Sequence, residues 1–141
     1  MAPEAILFPS IAMFLLTIGV FGRLGYMRAT AAAKREVDPR YYKLYRGGEG
    51  EPDHLRVVSR HAQNHFEFPP LFHVVVVMTY VSGSVSALAV GLAWLYVLAR
   101  AAHTAVHLGG NKVPRRFQVF IVGVSVLTLL WLHLAWALIA R

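Results

Sequence analysis

Four apolar runs, each near the length that crosses a bilayer, dominate the chain and leave it few ways to fold. A membrane-spanning helix needs roughly 20 mostly apolar residues to cover about 30 Å of hydrocarbon. The first run extends from about Ala5 to Gly22 and meets no charge until Arg23. The second begins near Phe66, passes through Val74, Val75, Val76 and Val77, and ends near Ser82, with Glu67 as its charged residue. The third goes from about Ser84 to Leu108 and is interrupted by Arg100; the fourth, Phe117 to Ala140, carries no charge. Lipid offers no partner to a free backbone N–H or C=O, so each run is expected to be helical. A hydrophobic share of 57% and a mean hydropathy of +0.51 exceed those of an ordinary soluble domain. The expected fold is all-α and integral to the membrane. It is one domain, a bundle of four transmembrane helices with spans near 5–28, 54–82, 84–108 and 117–140, and a polar loop over 29–53.

Charge gives that bundle a direction. The segment from Arg23 to Arg60 carries nine Lys or Arg, the turn from Gly109 to Arg116 carries three, and the turn from Val81 to Val85 carries none. The positive-inside rule then puts the first and third connections in the cytoplasm and both termini on the opposite side. A cleaved signal peptide is the competing reading of the first run. Its leading residues carry Glu4 and no Lys or Arg, with the positive charges following, which is the order of a retained anchor. The net charge of +7 is concentrated on one face, where it can meet anionic headgroups or draw in an anionic ligand. With no cysteine in the chain, disulfides, a thiolate metal site and a cysteine nucleophile are excluded, so any thiol chemistry uses a substrate's sulfur.

Gly47, Gly48, Gly50 and Pro52 mark the long polar stretch as a loop. Helical patterning resumes near Pro52, with Asp53 a plausible N-cap, and Pro69 and Pro70 are expected to kink the second span. On that span Arg56, Arg60, Asn64 and Glu67 fall at i, i+4, i+8 and i+11, a polar stripe on one narrow face with Gln63 beside it. Intramembrane carboxylates are expensive, so Glu67 reads as functional or as half of an ion pair that orients helices. On the third span Arg100, His103, Thr104 and His107 recur at i, i+3, i+4 and i+7, a second stripe at the same depth. Snorkelling is the plain alternative for Arg100, and interhelical polar packing for the two histidines. The turn Gly109 to Arg116 then brings arginine to the start of the fourth helix, where free N–H groups already favour anions. Arg115 and Arg116, being adjacent, cannot both point inward. His61 and His65 have the spacing of a metal pair, but no third ligand of convincing spacing accompanies them and they lie off the stripe, so no metal is expected. Arginines, amides and imidazoles at one depth suit a ligand with separated carboxylates, which guanidinium groups hold bidentately. A nearby arginine would also favour the thiolate of a ligand thiol.

These residues resemble a known family. Arg60-x-x-x-Asn64-x-x-Glu67-x-x-Pro70, then Ala99-Arg100-x-x-His103-x-x-x-His107, then Pro114-x-Arg116, occur in the order and spacing of the membrane-associated proteins in eicosanoid and glutathione metabolism, the MAPEG superfamily. The resemblance implies a homotrimer that binds glutathione between subunits near the cytoplasmic face. By position it implies Arg28, Arg60, Gln63, Asn64, Glu67, Arg100, His103 and His107 as glutathione-binding residues and Arg116 as the arginine that stabilises the thiolate. His107 stands where family enzymes usually have tyrosine, Gln63 replaces an arginine of some members, and Phe117 replaces a serine of the prostaglandin synthase branch. The implied activity is a glutathione transferase or peroxidase acting on lipophilic electrophiles or hydroperoxides. Its implied partners are membrane lipid, glutathione and a lipophilic substrate, not nucleic acid. A non-catalytic lipid- or glutathione-binding adaptor of the same fold is the alternative.

Overall fold

The computed structural model describes residues 2–38, 40–45 and 50–140, apart from the side chain of Leu44; Gly47 and Gly48 of the expected loop lie outside the described residues. A short 3-10 turn, Pro3–Ile6, leads into α1, Leu7–Ala33. A single-turn helix follows as α2, Tyr41–Leu44, then α3, Asp53–Asn64, α4, Pro69–Val81, α5, Ala87–Leu108, and α6, Val113–Ile139. Among the described residues there is no strand. Three stretches, Pro3–Ala33, Ala87–Leu108 and Val113–Ile139, are long and apolar enough to cross a membrane.

The second expected span, 54–82, is not one helix. It is α3 and α4, separated by four residues, and the 13 residues of α4 alone would rise only about 20 Å. The two prolines explain the break. Pro69 and Pro70 occupy the first positions of α4, where their missing N–H groups are harmless, whereas further into a helix they would forfeit two bonds and clash with the preceding turn. Helix α3 therefore closes with tightened bonds from His65 N to Ala62 O and from Phe66 N to Gln63 O. Asp53 is the first helical residue rather than the cap. Pro52 holds the cap position with no side-chain bond, and Asp53 pairs with Arg56 at 3.3 Å. Helix α6 also starts four residues earlier than expected, at Val113, which draws Arg115 and Arg116 into its opening turn.

Small residues let the long helices approach. Helix α5 packs most extensively against α6, with Ala89, Ala93 and Ala99 buried on α5 and Gly123 on α6. Around them lies the main core of Met13, Phe72, Val75, Val76, Tyr96, Leu127, Leu130 and Leu134, with Phe72 stacked on Tyr96 at 4.5 Å between ring centres. The valine run divides by helical phase: Val75 and Val76 are buried, while Val74 and Val77 join the exposed apolar surface. Polar pairs link the elements across this apolar packing. Ser10 meets His73 at 2.6 Å, Thr17 meets His65 at 3.0 Å and Ser86 meets His133 at 2.8 Å. Each such contact in a membrane contributes about 0.6 kcal/mol.

The turn between α5 and α6 is sterically specified. A Cβ on Gly109 would lie 2.7 Å from the carbonyl oxygen of Ala105, so only glycine fits there unless the turn shifts. Asn111 then adopts φ 43°, a left-handed conformation that asparagine tolerates better than most residues. This turn and the α1–α3 connection lie at the same end of the bundle, and the groove is built there.

Candidate functional site: a basic groove at one end of the bundle

Three segments supply the walls of a groove of about 400 Å³: the end of α3 with the break after it, the last turns of α5, and the first two turns of α6. Its lining comprises Arg60, Gln63, Asn64 and Glu67 from the first, His103 and His107 from the second, and Val113, Arg116, Phe117 and Phe120 from the third. A smaller cavity of about 200 Å³ shares Arg60, His107 and Arg116 with it and adds Asn111, Val57 and the paired Asp53 and Arg56. One face is therefore polar and cationic, and the α6 side is apolar.

The stripe on α3 reaches the groove by an unexpected route. Helix α3 ends at Asn64, so Glu67 lies in the turn that the prolines impose rather than on a continuing helix. Arg60, Gln63 and Glu67 are exposed, and Glu67 has no salt-bridge partner among the described residues. Arg116 is partly buried, while its neighbour Arg115 is exposed. The NH1 of Arg116 donates to Asn111 Oδ1 at 2.9 Å and lies 3.3 Å from His107 Nε2. Cations in the first turn of a helix add to the positive end of its dipole, so this arrangement raises the local potential. An anion in the groove would be stabilised by both.

Two residues expected in the site stand apart from the lining. Arg100 is 3% exposed and lies behind the groove, donating through NH2 to the Asn64 carbonyl at 3.3 Å. It holds a positive charge under the wall and ties α5 to the end of α3. Arg28 is engaged elsewhere: its Nε donates to Glu51 at 2.8 Å, its NH2 donates to Ser59 at 3.1 Å, and its guanidinium lies 4.9 Å from the ring centre of Tyr42. Ser59 also donates to the second Glu51 oxygen at 2.6 Å, closing a cluster that anchors the connection to α1 and α3. Burial alone would raise the Glu51 carboxyl, but the hydrogen bonds from Ser59 and Arg28 and the Arg28 charge outweigh it and hold the group below the usual carboxylate range.

His61 was set aside in the sequence because it lies off the α3 stripe. The structure turns it toward α5, where it is fully buried with Nδ1 3.1 Å from His107 Nδ1 and Nε2 3.0 Å from Thr104 Oγ1. His61, His103 and His107 each offer a ring nitrogen within 4.8 Å of the others, a set able to hold a transition-metal ion; it joins one histidine of α3 to two of α5 and leaves out His65, the partner that spacing along α3 suggested. His65 packs beside His61, with ring centres 5.0 Å apart. Asn111, Val113 and Phe120 were likewise outside the expected site. The 3.6-residue period places Val113, Phe117 and Phe120 together with Arg116 on one side of α6 once the helix start at Val113 is known.

Long apolar helices with an apolar outer surface, and a polar groove at one end, define an integral membrane protein. The profile of the MAPEG family matches residues 6–136, nearly the whole chain, and the protein belongs to that family. The family includes glutathione transferases and members of eicosanoid metabolism, and also non-catalytic members. No individually curated protein matches the chain at a significant level.

Proposed function

We propose that the protein is a membrane-bound, glutathione-dependent transferase or peroxidase. The observation that carries this reading is the lining of the groove: Arg60, Gln63, Asn64 and Glu67 face Arg116 across a space of about 400 Å³, within the volume range of small-molecule sites. Glutathione has two carboxylates, an ammonium, amides and a thiol. Arg60 suits a carboxylate, Glu67 the ammonium, and Gln63 and Asn64 the peptide groups. Arg116 stands ready to stabilise the thiolate. Lowering a thiol pKa from about 8.5 by roughly two units corresponds to about 2.7 kcal/mol, within reach of one or two cationic donors. The apolar side formed by Val113, Phe117 and Phe120 suits a lipophilic second substrate.

In the transferase reaction the thiolate sulfur bonds to an electrophilic carbon and the leaving group departs or the electron pair moves onto an acceptor atom. In the peroxidase reaction the thiolate attacks the O–O bond of a hydroperoxide, releasing an alcohol. A second glutathione then converts the resulting sulfenic acid to disulfide and water. We place the groove at the cytoplasmic face on the basis of the positive-inside count, with the termini opposite. The fourth crossing would be completed by α4 together with the break and the end of α3. The proposed assembly is a homotrimer. Arg60, Gln63 and Glu67 are exposed in a single chain at the end of a membrane bundle, where lipid contact is unfavourable, and a neighbouring copy would cover them.

The test is a thiolate difference absorption on adding glutathione to the purified protein. The wild type should show it and Arg116→Ala should lose it. Binding without a thiolate signal would favour an adaptor of the same fold, and no binding would remove the proposal.

A further inference from the structure

Arg116 is held by a chain of hydrogen bonds whose direction can be worked out from donors and acceptors alone. Its NH1 lies 3.3 Å from His107 Nε2, and a guanidinium only donates, so that nitrogen must accept. A neutral His107 then carries its proton on Nδ1, which lies 3.1 Å from His61 Nδ1. His61 must accept there and carry its own proton on Nε2, which points at Thr104 Oγ1 3.0 Å away. The Thr104 hydroxyl in turn donates to the Arg100 carbonyl at 2.9 Å. Reversing His61 sets two N–H groups against each other at the buried contact with His107, and reversing His107 does so at its part-buried contact with Arg116. Protonating either has the same effect.

The other hydrogen of the Arg116 NH1 goes to Asn111 Oδ1 at 2.9 Å. Both NH1 hydrogens are therefore used on the protein, and the Nε–H and the NH2 donors remain for an anion. We infer that His61 and His107, as neutral imidazoles of fixed and opposite tautomer, are positioning residues that aim Arg116 into the groove. This rests on the proposed role of Arg116 toward a ligand thiolate. Thr104 ends the chain on α5, so the α3–α5 packing is transmitted to a guanidinium on α6.

The same imidazoles could instead be metal ligands with His103. Two features favour the hydrogen-bond chain. The ligand set has Arg100 one turn before His103 on α5 and Arg116 against His107, so a divalent ion there would meet two cations. The contact between the two Nδ1 atoms also needs no ion once one nitrogen donates and the other accepts.

Two measurements on the full chain in detergent test the inference. Nitrogen NMR of histidine-labelled protein reads tautomers without glutathione, and it should show His107 protonated on Nδ1 and His61 on Nε2. The opposite tautomers would overturn the inference, as would stoichiometric zinc binding that His61→Phe abolishes. The second measurement is the thiolate fraction of bound glutathione. His61→Phe keeps the ring but loses both bonds and should lower that fraction about five- to tenfold, the worth of one hydrogen bond. His61→Gln keeps an acceptor and a donor and should stay within about twofold of wild type. Equal thiolate fractions in His61→Phe and wild type would refute the positioning role. Failure of the wild type to bind glutathione would instead refute the proposed function and leave the tautomer result standing on its own.

Discussion

Two arginines at the same end of the bundle have opposite surroundings. Arg28 is bonded to Glu51 and Ser59 and lies against Tyr42, so its charge is matched inside the protein. Arg116 meets an amide oxygen and an imidazole nitrogen, both neutral, and faces a groove with Arg60 also on its wall. The first arrangement closes a loop onto the helices; the second leaves Arg116 without a paired carboxylate, which suits an anionic ligand. Arg28, which the family resemblance placed among the ligand residues, already holds a carboxylate partner in this chain, and Arg116 does not.

The contrast predicts different consequences for deleting each charge. The largest effect is expected for Arg116→Ala: kcat/KM with glutathione and a lipophilic electrophile should fall about 10²- to 10³-fold, the usual loss when a donor to developing negative charge is removed. A thermal midpoint near that of wild type would show that the loss is functional. Next is Arg60→Ala, which should weaken glutathione binding by about tenfold or more, in line with roughly 1.5–3 kcal/mol for a hydrogen bond to a charged group, as read by titration calorimetry.

Glu51→Ala should act in the other currency, lowering stability by about 2 kcal/mol while glutathione affinity stays within about twofold. Arg28→Ala should do likewise, and the double variant should cost less than the sum of the two single ones, because the pair shares the Arg28–Glu51 contact while each side chain also has partners of its own. If Arg28→Ala weakened glutathione binding strongly while Glu51→Ala did not, the comparison would break and Arg28 would belong to the ligand site. The smallest effect concerns pH. The Glu51 carboxyl is held below its unfolded value, so its stabilising contribution is complete above the ordinary carboxylate pKa of about 4.3 and fades as pH falls through the lower folded value. Proteolysis of the connection between α1 and α3 should accelerate over that acid window, and Glu51→Gln should flatten the dependence.

Much of the groove could be read along the chain because its polar residues repeat with helical period. Arg60 and Asn64 on α3, and His103 and His107 on α5, share faces that spacing alone predicts, and all four line the groove. Spacing within one element cannot show what faces it from another. His61 is one residue beyond Arg60, about a quarter-turn around α3, and so points at α5 rather than into the groove. Its link to His107, 46 positions away, exists only because α3 and α5 pack together. Arg28 shows the same limit in reverse, since Glu51 lies in a connection with no period to predict where it lands.

By itself the sequence determined the solvent this protein folds in and the elements that can exist there. Apolar runs of bilayer length must be helices, and two adjacent prolines must distort one, because backbone groups in lipid have no other partners and proline lacks a donor; that the distortion is a full break between α3 and α4 came from the structure. Only the tertiary structure decided which charges are matched. Neutralising a charge takes atoms within a few ångströms, and residues distant in sequence become neighbours only when helices pack. Packing gave Glu51 to Arg28, and left Arg116 oriented by neutral groups toward an open groove.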